Sequence, residues 1–305
     1  MTATLGAECQ NPMSEAAAPG YLQRVVAAAL EEDLGPGDVT SAACIPVAEA
    51  CRFAIRAKGS GVVAGMDAAR EVFRQVDPRV TFAALVSDGV PVAPGDVLAE
   101  GEGAARSVLA AERTALNLLQ QLSGVATLTA EFVRRVAHTK ARIVDTRKTV
   151  PGLRYLQKQA VRAGGGHNHR LGLHDAVLIK NNHIAAVGGV AAAVRAAKHN
   201  VGHMVKIEVE VRSLQELQEA LDAGPDAVLL DNMTPAQMRE AVRLTNGRAL
   251  LEASGGVSLD TVAAIADTGV DLISVGLLTH SAPALDLHLL LERDPQTGDY
   301  CAPGE

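Results

Sequence analysis

Six short β-branched runs separated by amphipathic helices, all beyond residue 141, predict a parallel α/β sheet that is closed or nearly closed into a barrel. Ahead of them, strand-like runs and Gly/Pro turns around one or two helices predict a smaller α+β domain. The composition agrees with both. Aromatic residues make up 2% of the chain and Trp is absent, so Ala, Val, Leu and Ile must fill the layer between helices and parallel strands. The common α/β barrel has eight strands, and six such runs favour a smaller, open barrel. A length of 305 residues accommodates both domains.

Residues 1–20 contain Glu8 and Glu15 and no apolar signal core, and are expected to be a disordered leader of a cytoplasmic protein. The N-terminal α+β domain is expected over 21–125. Leu22, Val25, Val26, Ala29 and Leu30 share one helical face in 21–33, and LGPGDVTS (34–41) reads as the turn that ends it. Cys51, Phe53, Ile55 and Ala57 alternate with Arg52, Arg56 and Lys58, the period of a half-exposed strand. GVVAG (61–65), a helix at 67–76, VTFAALV (80–86) and the turn-rich DGVPVAPGDVLAEGEG (88–103) follow. From Ala105 a helical stripe runs through Val108, Leu109, Leu116, Leu119 and Leu122, and SGVATLTAEFVRRVA (123–137) reads as another helix. Arg113 lies on the first of these beside Glu112, and by itself reads as a surface arginine paired with an acid.

The barrel is expected over 126–284. Its strands are RIVDT (142–146), DAVLIK (175–180), MVKIEVEV (204–211), DAVLLD (226–231), RALLEA (248–253) and DLISVG (271–276). Helix boundaries between them are marked. Ser213 with Glu216 forms a capping box, Thr234-Pro235 an N-cap with proline in the first turn, and Gly224 and Gly269 stand at helix ends. Residues 285–305 are expected to form a C-terminal helix and tail that pack back on the N-terminal domain.

Charge is segregated. From Thr146 to His183 the chain places seven of its 28 basic residues and one of its 35 acids, Asp175, inside a protein of net charge −7; four of its nine histidines join them. Such a concentration repels itself unless an anion binds. Arg154, Lys158 and Arg162 fall at helical intervals and read as a solvated or subunit-contact face. Arg147-Lys148 and the His167–Arg170 run flank Gly and Pro and do not. The acidic total argues against nucleic-acid binding, and no apolar run reaches membrane-spanning length. Four scattered cysteines, with no C-x-x-C, make structural zinc improbable.

The strand ends carry the chemistry. In order they are Asp145 with Thr146 and Arg147, then Lys180, Glu210, Asp231, Ser254-Gly255-Gly256 and Gly276. In parallel barrels these ends meet at one mouth. Arg147, His169, Arg170 and Lys180 suit a small polyanion, because guanidinium forks match carboxylates. Glu210 and Asp231 are hard ligands for Mg²⁺ or ribose hydroxyls. The glycine turns at Ser254–Gly256, opening on a helix near Ser258, and at Val275-Gly276-Leu277 are candidate phosphate cradles. The ligands so implied are a sugar phosphate with Mg²⁺ and a compact polyacid. No Walker A pattern, no dinucleotide fingerprint and no nucleophile elbow is present.

DTRKTVPGLR (145–154), RAGGGHNHRLGLHDAVLIKNNH (162–183), IEVEV (207–211), LLDNM (229–233), EASGGV (252–257) and SVGLLTHSAPALD (274–286) resemble the quinolinate phosphoribosyltransferases, the decarboxylating nicotinate-nucleotide pyrophosphorylases. EEDLGPGDVTS (31–41) and ERTALNLLQQLSGVAT (112–127) match as well, so the likeness covers about residues 21–290. It implies the open six-stranded barrel of the type II phosphoribosyltransferases. The implied reaction joins quinolinate and 5-phosphoribosyl-1-pyrophosphate to give nicotinate mononucleotide, pyrophosphate and CO₂. It further implies that Thr146, Arg147, His169, Arg170 and Lys180 bind quinolinate, with Arg113 delivered from the other subunit of a homodimer. Lys148, Glu210, Asp231, Ser254, Gly255, Gly256, Val275, Gly276, Leu277 and His280 would bind the phosphoribosyl pyrophosphate, with Lys148, Glu210 and Asp231 catalytic. Mg²⁺ would sit at Glu210 and Asp231, directly or through water, and no organic cofactor is required.

Overall fold

In the computed structural model, residues 20–292 are described; the expected leader, apart from Gly20, and the tail beyond 292 fall outside them. The stripe of 21–33 becomes α1 (Tyr21–Leu34), which buries Val26 and Leu30. The stretch read as a turn after it contains a further helix, α2 (Val39–Cys44). Asp38 makes that possible, its carboxylate accepting the N–H groups of Thr40 at 2.9 Å and Ser41 at 3.1 Å. Next come β1 (Ala50–Ala57), β2 (Gly61–Val62), α3 (Met66–Val76), β3 (Ala83–Ala84), β4 (Pro91–Val92) and β5 (Val97–Ala104).

β5 occupies ground that reads as turn in the sequence, because its glycines serve packing. A Cβ on Gly101 would stand 2.5 Å from Phe53 Cζ and 2.1 Å from the Thr81 carbonyl oxygen. The strand lies directly on an aromatic cluster in which Phe53 and Phe73 stack with centroids 4.8 Å apart and Phe82 packs on both. Three of the chain's four Phe lie in this domain, and beyond the buried Phe132 of the long helix that follows, the barrel is left with aliphatic filling.

The two helices expected over 105–137 are one, α4 (Ala105–Val136), 32 residues long. Ser123-Gly124, which reads as a break, is buried in its middle. A Cβ on Gly124 would stand 2.1 Å from the Pro283 carbonyl oxygen, so glycine is there to admit the chain that leaves the barrel. Since α4 runs through the expected boundary at 125, the two domains share a rigid rod.

The barrel elements are β6 (Arg142–Val144), α5 (Arg154–Ala163), β7 (Val177–Ile179), α6 (Asn181–Val187), α7 (Val190–Asn200), β8 (Ile207–Val211), α8 (Leu214–Ala223), β9 (Ala227–Asp231), α9 (Pro235–Thr245), β10 (Leu250–Ser254), α10 (Val262–Ala266), β11 (Leu272–Ser274) and α11 (Leu277–His280). The strands form one parallel sheet in the order β6-β11-β10-β9-β8-β7. No ladder joins β7 to β6, so the barrel is open along that seam. His167 enters the gap and bridges to Val144. Its N–H donates to the Ile143 carbonyl at 2.8 Å, and the His167 carbonyl accepts the Asp145 N–H at 3.1 Å. Among the described residues no helix is long and apolar enough to cross a membrane.

The expected C-terminal helix is instead a strand where it is described, β12 (Leu287–Glu292). Its alternating burial at Leu287 and Leu289 has the period of a strand, and β1 offers a free edge. The two pair antiparallel from Ala57↔Leu287 to Arg52↔Glu292, which gives the N-terminal sheet the order β12-β1-β5-β3.

Alanine normally stabilises a helix interior relative to glycine by about 1 kcal/mol. Gly124→Ala should do the reverse here, lowering stability by roughly 1–3 kcal/mol through overpacking. Urea unfolding of the two proteins measures it; a gain would mean that the 283–284 backbone yields freely.

Candidate active site

Strand periodicity decides what the barrel mouth contains. On β8 every residue is buried, yet Ile207, Val209 and Val211 join the hydrophobic core while Glu208 and Glu210 take the opposite face. The same alternation turns Leu178 and Lys180, Leu229 and Asp231, and Glu252 and Ser254 inward, with Ser274 from β11. All of these inward residues but Glu208 line a cleft of about 570 Å³ at the C-terminal strand ends. Lys180, Glu210, Asp231 and Ser254 stand at the strand ends, with Leu178, Leu229 and Glu252 two residues earlier and Ser274 on β11; Glu208, outside the cleft lining, meets His169. Thr146, Arg147, Lys148, His169, Arg170, Gly255 and Gly256 complete the wall.

The expected site residues therefore gather in one place, with exceptions. Arg113 is exposed on α4 and does not line the cleft of its own chain. Val275 is 1% exposed and its N–H donates to the Val144 carbonyl at 3.0 Å, so it has no free donor for a phosphate. The helix expected at Ser258 begins only at Val262, since Ser258 and Thr261 close a turn in between. Gly276 matters chiefly for space: a Cβ there would be 3.1 Å from Lys148 Cδ and 3.2 Å from His280 Nε2. Leu277 and His280 adjoin it on α11 without lining the cleft.

Lys158, expected on a solvated face, is 3% exposed. Its ammonium is ion-paired with Asp145, itself fully buried, and also donates to the His169 carbonyl at 2.9 Å. The Asp145 carboxylate further accepts the His169 N–H at 2.9 Å and Asn168 Nδ2 at 2.6 Å. Burial pushes the Asp145 carboxyl up and the Lys158 ammonium down, and each charge opposes the other's neutralisation. Three donors converging on one carboxylate favour the ion pair. Arg154 is half-buried and also engaged, through Thr149 Oγ1 at 2.9 Å, whereas Arg162 is exposed.

This network fixes the segment that carries the anion-binding groups. Arg170 donates through one terminal nitrogen to the Ala176 carbonyl at 3.0 Å, but its Nε is buried with no partner. Burial and the nearby Arg147 charge both work against its guanidinium. Two facing guanidiniums and an unmet donor are what an anion relieves.

Below them, His169 Nδ1 accepts the Arg170 N–H at 2.7 Å, so the ring's own proton lies on Nε2. That proton faces Glu208 Oε2 at 2.9 Å and Glu252 Oε2 at 3.5 Å. Burial works against a second proton on the ring, but the Glu208 hydrogen bond and both carboxylate charges outweigh it and raise the pKa; the Arg170 N–H holds the other way. Glu252 is 1% exposed, and apart from the Ser274 hydroxyl beside it no donor reaches its oxygens. Burial and the charge of Glu208, opposed by His169, push its carboxyl up to about 8. The three side chains offer donor atoms within 4.8 Å of one another. In the tautomer set by the Arg170 N–H, Nε2 carries the ring proton and offers a cation no lone pair. Glu208 and Glu252 are absent from the sequence-based site, although each stands two residues before a residue that is in it and so shares its face.

Hard oxygen donors for a cation are found higher up. Glu210 accepts from Asn181 Nδ2 and lies 3.7 Å from Lys180 Nζ. Asp231 accepts from Arg212 Nε at 3.2 Å and Asn232 Nδ2 at 2.8 Å. Each carboxylate keeps free lone pairs, and this donor chemistry fits Mg²⁺. Gly255, at φ +97°, has Asn232 Oδ1 2.2 Å from where a Cβ would be, so the Ser254–Gly256 turn tolerates no side chain there.

Comparison with known proteins agrees with this geometry. Residues 38–123 match the family model of the quinolinate phosphoribosyl transferase N-terminal domain, and 125–290 that of the C-terminal domain. A nicotinate-nucleotide pyrophosphorylase (carboxylating) of Mycobacterium leprae is 47% identical over 86% of this chain and 94% of its own. A probable enzyme of the same description from Bacillus subtilis is 43% identical over 88% and 93%. The structure of the nicotinate-nucleotide pyrophosphorylase from Francisella tularensis superposes with a TM-score of 0.87 at 41% identity, covering 90% of this chain and 98% of that one.

Removing one member of a buried ion pair costs about 3–5 kcal/mol. Lys158→Met should lose that amount in urea unfolding, and the double variant with Asp145→Asn should regain part of it, since no unpaired charge is then left buried. A single variant as stable as the parent would show that the pair is neutral.

Proposed function

The chain belongs to the quinolinate phosphoribosyltransferase family, and from that premise we propose how its mouth carries out the family's reaction. The enzyme transfers phosphoribosyl from 5-phosphoribosyl-1-pyrophosphate to quinolinate with decarboxylation, giving nicotinate mononucleotide, pyrophosphate and CO₂, in the de novo route to NAD. One observation carries the assignment of the site: Arg147, Arg170, Lys180 and His169 surround the same cleft as Glu210 and Asp231. A dicarboxylate needs the first group, and a ribose that turns cationic needs the second.

Arg147, Arg170 and Lys180, with Thr146 and His169, hold the two carboxylates. Arg170 brings a buried donor without a partner, which supports its part in this. Lys148, lying over Gly276 beside His280, faces the pyrophosphate and helps it leave. Glu210 and Asp231 would hold Mg²⁺, directly or through water, and the ion supplies positive charge to the pyrophosphate. As the bond to the ribose C1 breaks, a carboxylate at the mouth stabilises the oxocarbenium-like sugar. Ser254, Gly255 and Gly256 take the 5′-phosphate, with Gly276 and Leu277 beside them. Attack by the ring nitrogen makes a pyridinium, whose positive charge stabilises the electron pair left at C2 as CO₂ departs. The substrate is its own electron sink, and no organic cofactor is called for.

Arg113 belongs, in this reading, to the neighbouring site of a homodimer; its exposure away from its own cleft supports that placement. The cytoplasm is the proposed compartment, where free thiols such as Cys44 and Cys51 persist.

Purified protein with quinolinate, 5-phosphoribosyl-1-pyrophosphate and Mg²⁺ should release CO₂ and form nicotinate mononucleotide. Turnover of nicotinate without turnover of quinolinate would assign a different acceptor. Arg113→Ala and Lys180→Ala proteins, each inactive alone, should recover activity on subunit exchange, because one hybrid site then contains both wild-type residues. No recovery despite exchange proven by mixed tags would return Arg113 to its own chain.

A further inference from the structure

5-Phosphoribosyl-1-pyrophosphate carries phosphate at both ends of its ribose, so the mouth must hold two anionic groups at a fixed separation. The parts that would hold them leave neighbouring strands. Lys148 lies in the loop that follows β6, and Gly276 precedes α11 just beyond β11, which pairs with β6. The Lys148 side chain lies over this turn, its Cδ 3.1 Å from where a Cβ on Gly276 would be.

Behind that contact, three hydrogen bonds close a ring with the loop backbone. The Thr279 hydroxyl of α11 donates to the Lys148 carbonyl at 2.8 Å. The Thr279 carbonyl accepts from Gln157 Nε2 at 2.8 Å, and Gln157 Oε1 accepts the Val150 N–H at 2.9 Å. A backbone N–H only donates and a carbonyl only accepts, so the ring fixes which way the Gln157 amide faces. Thr279 is 2% exposed and Gln157 1%, and neither lines the cleft. Their polar groups are spent on the Lys148–Val150 backbone and not on a ligand.

We propose that Thr279, braced by Gln157, is a positioning residue that sets the distance between the pyrophosphate lysine and the 5′-phosphate turn, an inference resting on the functional reading above. The Thr279 N–H donates to the Gly276 carbonyl at 3.2 Å. One residue thus grips the phosphate turn through its backbone and the lysine loop through its side chain. The local alternative for its hydroxyl, that same Gly276 carbonyl, is 3.5 Å away, and the shorter bond goes to Lys148. A ligand held at one end only does not sense the distance so fixed. A ligand held at both ends binds less well once the two subsites drift apart, and the bond that breaks between them loses its alignment.

The test is steady-state kinetics of the full chain, with ribose 5-phosphate and inorganic pyrophosphate as inhibitors competing with the two-ended substrate. Thr279→Val keeps the shape and removes the donor. It should lower kcat/KM for 5-phosphoribosyl-1-pyrophosphate by about 10²-fold. The inhibition constants of the two fragments should each change by less than about threefold, because neither subsite is itself altered. Thr279→Ser, which returns the donor, should recover most of the lost activity. A packing role alone would lower the melting temperature and leave kcat/KM in place, which overturns the proposal. So does a fragment inhibition constant that rises in step with the loss of kcat/KM, since Thr279 then serves one subsite alone. Should Thr279→Val fail to fold, Gly276→Ala decides. At φ −67° alanine is unstrained there, and its Cβ presses on Lys148 and His280 without touching the buried ring. The same pattern is expected, and wild-type kinetics would overturn the spacing role. Active wild type with variants that match it removes only this proposal; no product from quinolinate in wild type removes the functional reading as well.

Discussion

The mouth of this barrel depends on one buried carboxylate. Asp145 follows β6 at the edge where the barrel fails to close, and a fully buried charge there must be met by donors or cost several kcal/mol. Lys158 from α5, Asn168 and the His169 N–H meet it. The donors come from just those residues that must be immobile if Arg170 and His169 are to face a ligand. The same contacts that satisfy the charge therefore orient the loop. Preorganisation of this kind is what makes a cluster of like charges usable, since the cations are held together before any anion arrives.

Much of the mouth was legible because strand ends announce themselves. Lys180, Glu210, Asp231 and Ser254 stand where β-branched runs stop, and parallel topology brings such ends together. The six strands and the helix N-caps at Ser213 and Thr234 were readable for the same reason, each being a local signal, although Glu216 closes on the Arg212 N–H and not on that of Ser213. Glu208 and Glu252 carried a weaker one. Each is two residues from a rim residue and so on the same face, but a carboxylate inside a strand invites no attention until the barrel's interior is known.

Lys158 illustrates the limit of pattern reading. Its helical spacing with Arg154 and Arg162 describes a solvated face, and only Asp145 arriving from another element reverses that. Gly101 and Gly124 mislead in the same way. Glycine reads as turn or break in one dimension, whereas here a phenyl ring and a carbonyl group, each distant in sequence, occupy the space a side chain would take. Tertiary approach, invisible to local propensity, decided all three. Arg113 is the opposite case, a residue whose place the family motif implies and which does not line the described cleft of its own chain.

The pairing of β12 with β1 bears on how the chain is made. Leu287 meets Ala57, a residue synthesised 230 positions earlier. Until β12 emerges from the ribosome, β1 has β5 on one side and an open edge on the other. Such an edge is a template for pairing with another nascent chain, and the wait for a distant partner slows completion of the sheet. The alternating Arg52, Arg56 and Lys58 on and beside β1 place charge along this edge during that interval, a guard against aggregation whose need ends when β12 docks.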